Sequence, residues 1–207
     1  EAPSFIDDGI HSPPAVLDRE RIERIKRAWV DSTRRADRIG VDLIELHFAH
    51  GYLVNQFLSP LTNFRDDEYG GSLENRCRLP LRVLGAVRKE LGDTPVGIRV
   101  SAEEFVPNGI NPEQCVDIVE HILDRISVDY ISVSQSNYAS IDRMIPDMSF
   151  PRAPFAHYAK HVREVAGGIP VFAVARLVTP EQCETLLGDG TADAVCLVRP
   201  LIADPEL

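Results

Sequence analysis

Three side chains able to donate hydrogen bonds, His47, His50 and Tyr52, stand within six residues at the end of an apolar run, VDLIEL. Neutral imidazole N–H groups suit polarisation of a substrate oxygen, and a phenol O–H suits delivery of a proton to a carbon that becomes basic. One histidine at a strand end is commonly just hydrogen-bonded into its surroundings. Two histidines and a tyrosine together favour a site. Glu45, His47 and His50 are also a conceivable metal set, since alternation along a strand puts Glu45 and His47 on one face. The helical HExxH spacing of zinc hydrolases is not there, and no metal is expected.

Three arginines add a second chemical element. Arg99 lies near the end of the apolar segment GIRVS, where a guanidinium needs an anionic or carbonyl partner. Glu45 and Glu103 qualify as structural partners, and so does a ligand. Arg176 and Arg199 follow the apolar segments AVAR and CLVR, and arginines at successive strand ends ahead of helix N-termini form a cradle for phosphate. The charge-rich segment from Arg65 to Arg76 reads as loop architecture. In it Gly70 and Gly71 allow positive φ, Ser72 caps a helix, and Arg65, Asp67 and Arg76 pair among themselves.

The elements that must position these residues follow from periodicity. Residues 1–17, with Pro3, Gly9, Pro13 and Pro14, read as an N-terminal loop or arm. Asp18 caps a helix over 19–39 with Ile22, Ile25, Trp29, Thr33 and Ala36 at helical spacing. A strand over 41–46 precedes the histidines, and a helix over 72–91 follows the charged loop. Then come a strand ending at Ser101, a helix from Asn111-Pro112 with Val116, Ile118, Val119 and Ile122 inward, and a strand over 130–133. A polar loop over 134–154, a helix over 155–165, a strand from Val171, a helix from Thr179-Pro180 to Leu187, a strand over 194–198 and a short tail complete the chain.

Five strands alternating with five helices is the pattern of a parallel α/β sheet with helical crossovers. No glycine-rich turn follows the first strand, which speaks against a doubly wound fold. A complete (βα)8 barrel takes about 250 residues, so five units imply an open sheet or part of something longer. Two strand-to-helix loops run to roughly 20 residues each, a length usually reserved for function.

Composition narrows the setting. The excess of 32 acidic over 22 basic residues gives a net charge of −10, which repels a phosphate backbone and excludes nucleic acid as a partner. No run of about 18 apolar residues is present, so no membrane span is expected, and the N-terminus does not resemble an export signal. Cys77, Cys115, Cys183 and Cys196 have no CxxC spacing and fall in helix or strand patterns, as expected of reduced thiols in the cytoplasm.

The stretch HFAHGYLVNQFLSPLTNFRDDEYGGSLENRCR resembles the signature of the old yellow enzyme family of FMN-dependent oxidoreductases. The likeness continues through GIRVSAEEF, PVFAVARLVTPEQ and ADAVCLVRPLIADPEL, covers the chain from about residue 17 onward, and is nearest the branch of 2,4-dienoyl-CoA reductase and trimethylamine dehydrogenase. It implies a partial (βα)8 TIM barrel, with the C-terminal five βα units in residues 18–207 and the N-terminal strands missing. It also implies FMN reduced by NADH or NADPH, with reduction of activated C=C bonds in α,β-unsaturated carbonyl compounds. By the same resemblance His47 and His50 hold the substrate oxygen, Tyr52 is the proton donor, Arg99 lies beside the flavin, and Ala175, Arg176, Val198 and Arg199 bind its phosphate. Family members carry glycine at the position of Ala175 and often at that of Val198. The cysteines that hold a 4Fe-4S cluster in the larger branch would lie beyond Leu207. The expected partner is a small-molecule substrate, and the expected assembly a homo-oligomer. The rival expectation is a non-catalytic barrel fragment or scaffold.

Overall fold

The computed structural model describes residues 2–4, 14–174 and 176–207. Asp18 opens α1 (Arg19–Arg38), its carboxylate accepting from the Arg21 amide at 2.8 Å. After β1 (Ile44–Phe48), Tyr52 leads into α2 (Leu53–Leu58), and Ser72 caps α3 (Leu73–Glu90). β2 (Val96–Ser101) is followed by α4 (Pro112–Leu123), whose Asn111 and Gln114 close a capping box. β3 (Tyr130–Ser134) leads through a 3-10 turn (Tyr138–Ser140) and α5 (Ile141–Met144) to α6 (His157–Val165). β4 (Val171–Ala173), α7 (Pro180–Gly188) with its Thr179 capping box, β5 (Ala194–Val195) and α8 (Arg199–Ala203) complete the order.

The five strands form one parallel sheet in the order β1-β2-β3-β4-β5. Strands added in sequence order, each crossover carrying a helix, give a (βα)8 barrel arrangement of which this chain supplies five units. Alternation along each strand then separates two jobs. Leu46, Phe48, Ile98, Val100, Ile131, Val133, Val171 and Ala173 enter the core with Leu79, Val83 and Val87 of α3 and Ile118, Val119 and Ile122 of α4. Trp29 of α1 meets Phe48 edge-on at 6.1 Å. The opposite face carries Glu45, His47, Gly97, Arg99, Ser101, Tyr130, Ser132, Ser134 and Phe172. The residues with chemistry therefore share one side of the sheet.

Gly97 on that face is dictated by its neighbour. A Cβ there would lie 2.3 Å from the Tyr130 ring, which is itself stacked on Phe172 at a centroid distance of 4.7 Å. Gly97→Ala is expected to cost about 1–3 kcal/mol through overpacking, read as a lower urea midpoint. An unchanged midpoint would mean that the Tyr130 ring can swing aside.

Several boundaries differ from the periodicity reading. The first strand begins at Ile44 and not Val41, because Asp42 and Leu43 are exposed, and it runs on to Phe48, so His47 lies within it. The segment LVNQFL, read as loop, forms α2 and buries Val54, Asn55, Phe57 and Leu58. β4 and β5 are shorter than expected, the helix expected from Phe155 starts at His157, and the tail contains α8. Val116 is half-buried while Cys115 is in the core.

In the charged loop, Arg65 pairs with Asp67 at 2.5 Å and donates to the carbonyls of Pro3 and Leu17. Arg76 does not join them. It donates to the carbonyls of Leu58 and Gly71, the former an orphan at the end of α2. Gly71 has φ +77°, whereas Gly70 serves close approach, since a Cβ there would sit 2.2 Å from the Arg65 carbonyl oxygen. Of the expected N-terminal arm, residues 1 and 5–13 lie outside the described residues. Its two ends are anchored: Ala2 bridges Val16, and Leu17 is in the core.

Candidate active site

β1 places His47 beside Arg99 of β2 on the inner face, their Cα positions being register partners. The chain then turns sharply, His50 taking φ +63° and Gly51 φ +74°. A left-handed histidine is unusual and needs support. It is held at both ends, its amide donating to Ser101 Oγ at 2.9 Å and its ring Nε2 lying 2.6 Å from Ser134 Oγ. Ser101 and Ser134 are themselves register partners closing β2 and β3. Three strand ends are thus tied through one histidine, by its amide and its ring. Gly51 is needed for close approach as well, since a Cβ would lie 3.2 Å from Asn137 Cβ.

The rings converge. His47 and His50 have centroids 4.9 Å apart, and His47 and Tyr52 5.3 Å. Tyr52 Oη lies 2.7 Å from Tyr138 Oη, with the two rings edge to face. Burial and the nearby Arg99 charge hold the His47 imidazolium pKa below its ordinary value. Burial, then His47 and Arg99, push His50 down to about 4. Both imidazoles are therefore neutral near pH 7, each offering one N–H donor and one acceptor nitrogen.

The His50 shift has a sign-definite consequence for stability. The unfolded chain takes up this proton near pH 6.5 and the folded chain only near pH 4. The stabilisation is complete above about pH 6.5 and is lost as pH falls from there towards about 4, on the order of 2 kcal/mol after allowing for partial solvation of the ring. Urea unfolding at pH 7 and pH 4.5 measures it, and His50→Gln should flatten the acid slope. An equally steep slope in the variant would assign the loss to other groups.

Arg99 Nε lies 2.7 Å from Glu45 Oε1, which resolves the choice of structural partner in favour of Glu45. Glu103 accepts instead from the Tyr158 hydroxyl. The contact is ionic but off the N–H direction, and among the described residues Arg99 Nε has no hydrogen-bond partner. Nor does Ser132 Oγ, which is buried on the register partner of Arg99. Arg99, Arg176 and Arg199 line one cavity of about 380 Å³ with Val174, Cys196 and Val198. Arg176 takes φ +52°, and its Nε donates to the Phe150 carbonyl, while Arg199 donates to that of Pro146. Ala175 lies outside the described residues. Val198 has φ −127°, outside the left-handed region that favours glycine.

Three guanidinium groups lining one cavity with an apolar wall fit an anionic, planar nucleotide. Among the described residues no three His, Cys, Asp or Glu side chains are grouped to hold a metal ion. All four cysteines are free, and burial pushes the thiols of Cys77 and Cys115 up to about 12. They are packing residues and not nucleophiles. Among the described residues no helix is long and apolar enough to cross a membrane.

The sequence model of the NADH:flavin oxidoreductase / NADH oxidase family matches residues 5–207. The chain belongs to this family. It is 40% identical over 205 residues to NADPH dehydrogenase of Geobacillus thermodenitrificans, covering 99% of this chain and 58% of that protein. It is 39% identical over 194 residues to NADH oxidase of Thermoanaerobacter brockii, covering 93% of this chain and 30% of that one. Among solved structures, a 2-naphthoyl-CoA reductase complex superposes with TM-score 0.90 at 28% identity, over 99% of this chain and 31% of that chain. The chain thus spans between about a third and three-fifths of the length of these relatives. As a flavin oxidoreductase family, it works with FMN and a nicotinamide nucleotide.

The site residues that sequence reasoning missed are Ser101, Ser134 and Tyr138. Ser101 and Ser134 are brought to His50 by strand register and Tyr138 to Tyr52 by a loop fold, neither of which leaves a local signal. The hydroxyl ending each of two successive strands, RVS and SVS, was the one trace available.

Proposed function

We propose that the protein is an ene-reductase that saturates activated C=C bonds of α,β-unsaturated carbonyl compounds, residues 18–207 forming the C-terminal part of its FMN-binding barrel. Bound FMN, reduced by NADH or NADPH, supplies the hydride. The observation that carries the reading is the convergence of His47, His50 and Tyr52 at one strand end. Neutral His47 and His50 donate N–H bonds to the substrate carbonyl oxygen and stabilise the negative charge that gathers there. Tyr52 gives its phenol proton to the neighbouring carbon. Arg99 offers its charge to the flavin, with Arg176 and Arg199 reserved for the phosphate. Ala175 and Val198 are assigned to the same phosphate. The free thiols and net charge of −10 support a cytoplasmic setting, and a homo-oligomer belongs to the same reading.

Incubating the purified protein with FMN, NADPH and 2-cyclohexenone should consume the enone absorbance, and no consumption would reject the reading. The second reading is a scaffold without competent flavin binding. A protein that purifies colourless and stays so with FMN would establish that alternative.

A further inference from the structure

Tyr138 belongs to neither the histidine pair nor the arginine cavity, yet it is placed with care. It starts the 3-10 turn in the loop after β3, and that turn is built on buried polar residues. Asn137 Oδ1 accepts from the Ala139 amide at 2.9 Å, Ser140 Oγ donates to the Glu104 carbonyl at 2.7 Å, and Ser136 takes φ +80° against Ser140. The close approach of Gly51 to Asn137 then fixes the distance between the two loops that carry Tyr52 and Tyr138. The result is a phenol pair with oxygens 2.7 Å apart and ring centroids 5.7 Å apart at 85°. Tyr52 is 47% exposed and Tyr138 59%. An exposed tyrosine needs no partner from the protein. Here the two hydroxyls are hydrogen-bonded to each other.

We propose that Tyr138 resupplies the Tyr52 proton, making the two phenols a relay between solvent and substrate; this rests on the ene-reductase reading above. A substrate carbon made basic by hydride addition, the hydride deriving from NADH or NADPH, takes the Tyr52 proton. A C–H bond forms and the Tyr52 O–H bond breaks. As it does, the Tyr138 hydroxyl donates to Tyr52 Oη, re-forming that O–H bond, and the electron pair of the broken Tyr138 O–H bond stays on Tyr138. Water then protonates the Tyr138 phenolate and leaves as hydroxide, which balances the proton consumed. Tyr138 touches Tyr52 and not the substrate, so it is a positioning residue for that proton. The Tyr52 hydrogen bond also holds the Tyr138 phenol pKa above its ordinary value, so Tyr138 keeps its proton at neutral pH.

The test compares the wild type with Tyr138→Phe and Tyr138→His in FMN-loaded protein, following NADPH oxidation and enone reduction separately. Tyr138→Phe should slow enone reduction about tenfold with KM for the enone and the rate of flavin reduction by NADPH, measured as a separate half-reaction, unchanged. Tyr138→His, which can also pass a proton, should restore most of the rate. In mixtures of light and heavy water, the wild-type rate should curve with deuterium fraction, as two protons in flight require, and the Phe variant should respond linearly. A Phe variant that matches an active wild type overturns the relay alone. So does a loss confined to KM with linear responses in both proteins, which would make the pair a brace for Tyr52. A wild type that never reduces the enone overturns the reaction assignment and the relay with it.

Discussion

Tyr52→Phe is expected to slow enone reduction by roughly 100- to 10,000-fold while leaving flavin reduction by NADPH within about twofold of wild type. The substitution removes one oxygen. The ring that packs against His47 at 5.3 Å stays, so the imidazole pair keeps its geometry. The hydrogen bond lost, to Tyr138, is an exposed one, and Tyr138 can turn to water. Folding stability should therefore change by no more than about 0.5 kcal/mol. Rapid-mixing measurements of the two half-reactions separate the effects. Equal slowing of both would show that Tyr52 supports nucleotide or flavin binding instead of proton delivery, and slowing of neither would remove it from the chemistry.

What could be read beforehand divides along physical lines. The caps at Asp18, Ser72, Asn111 and Thr179 were all legible, because a side chain satisfying orphan amides three residues ahead is a local event with a local pattern. The parallel order of strands was legible from alternation with helices. α2 was not, since six residues are less than two turns and cannot show periodicity. Nor was the true start of β1. Pairing with β2 begins at Ile44 opposite Val96, so β2 sets where the ladder starts, not the apolar run Val41–Leu46. The site shows the same division. His47, His50 and Tyr52 share one short segment and could be found together. Arg176 and Arg199 could be placed at successive strand ends, but their meeting with Arg99 across the sheet is a property of the curled strands. Ser134 reaches His50 over a separation of 84 residues, and Tyr138 reaches Tyr52 over 86. Such contacts are set by register and loop packing, which no single stretch of sequence encodes.

Glu104→Ala should be the most damaging single change to the platform under this site, although Glu104 touches none of the three reacting side chains. Its carboxylate is buried and accepts from Asn55 Nδ2 at 2.7 Å, Ser59 Oγ at 2.5 Å and the Ile110 amide at 2.8 Å. Its carbonyl accepts from Ser140 Oγ. One residue thus joins α2, which begins at Tyr52, to the loop after β2 and to the turn that carries Tyr138. Alanine would strand three buried donors, each costing about 1–3 kcal/mol, and would leave a cavity besides. A net loss of roughly 4 kcal/mol is expected once the loop relaxes and water enters. Glu104→Gln should be milder, because an amide retains the shape and one acceptor oxygen but meets the other donors with an NH2. Urea unfolding of both variants gives the stability. If the platform argument holds, the alanine variant that remains folded should also lose enone turnover, since the Tyr52 and Tyr138 hydroxyls no longer have fixed supports. A loss below about 1 kcal/mol would mean that water replaces the carboxylate fully, and that the two tyrosine-bearing loops are held together by Gly51 and Asn137 instead.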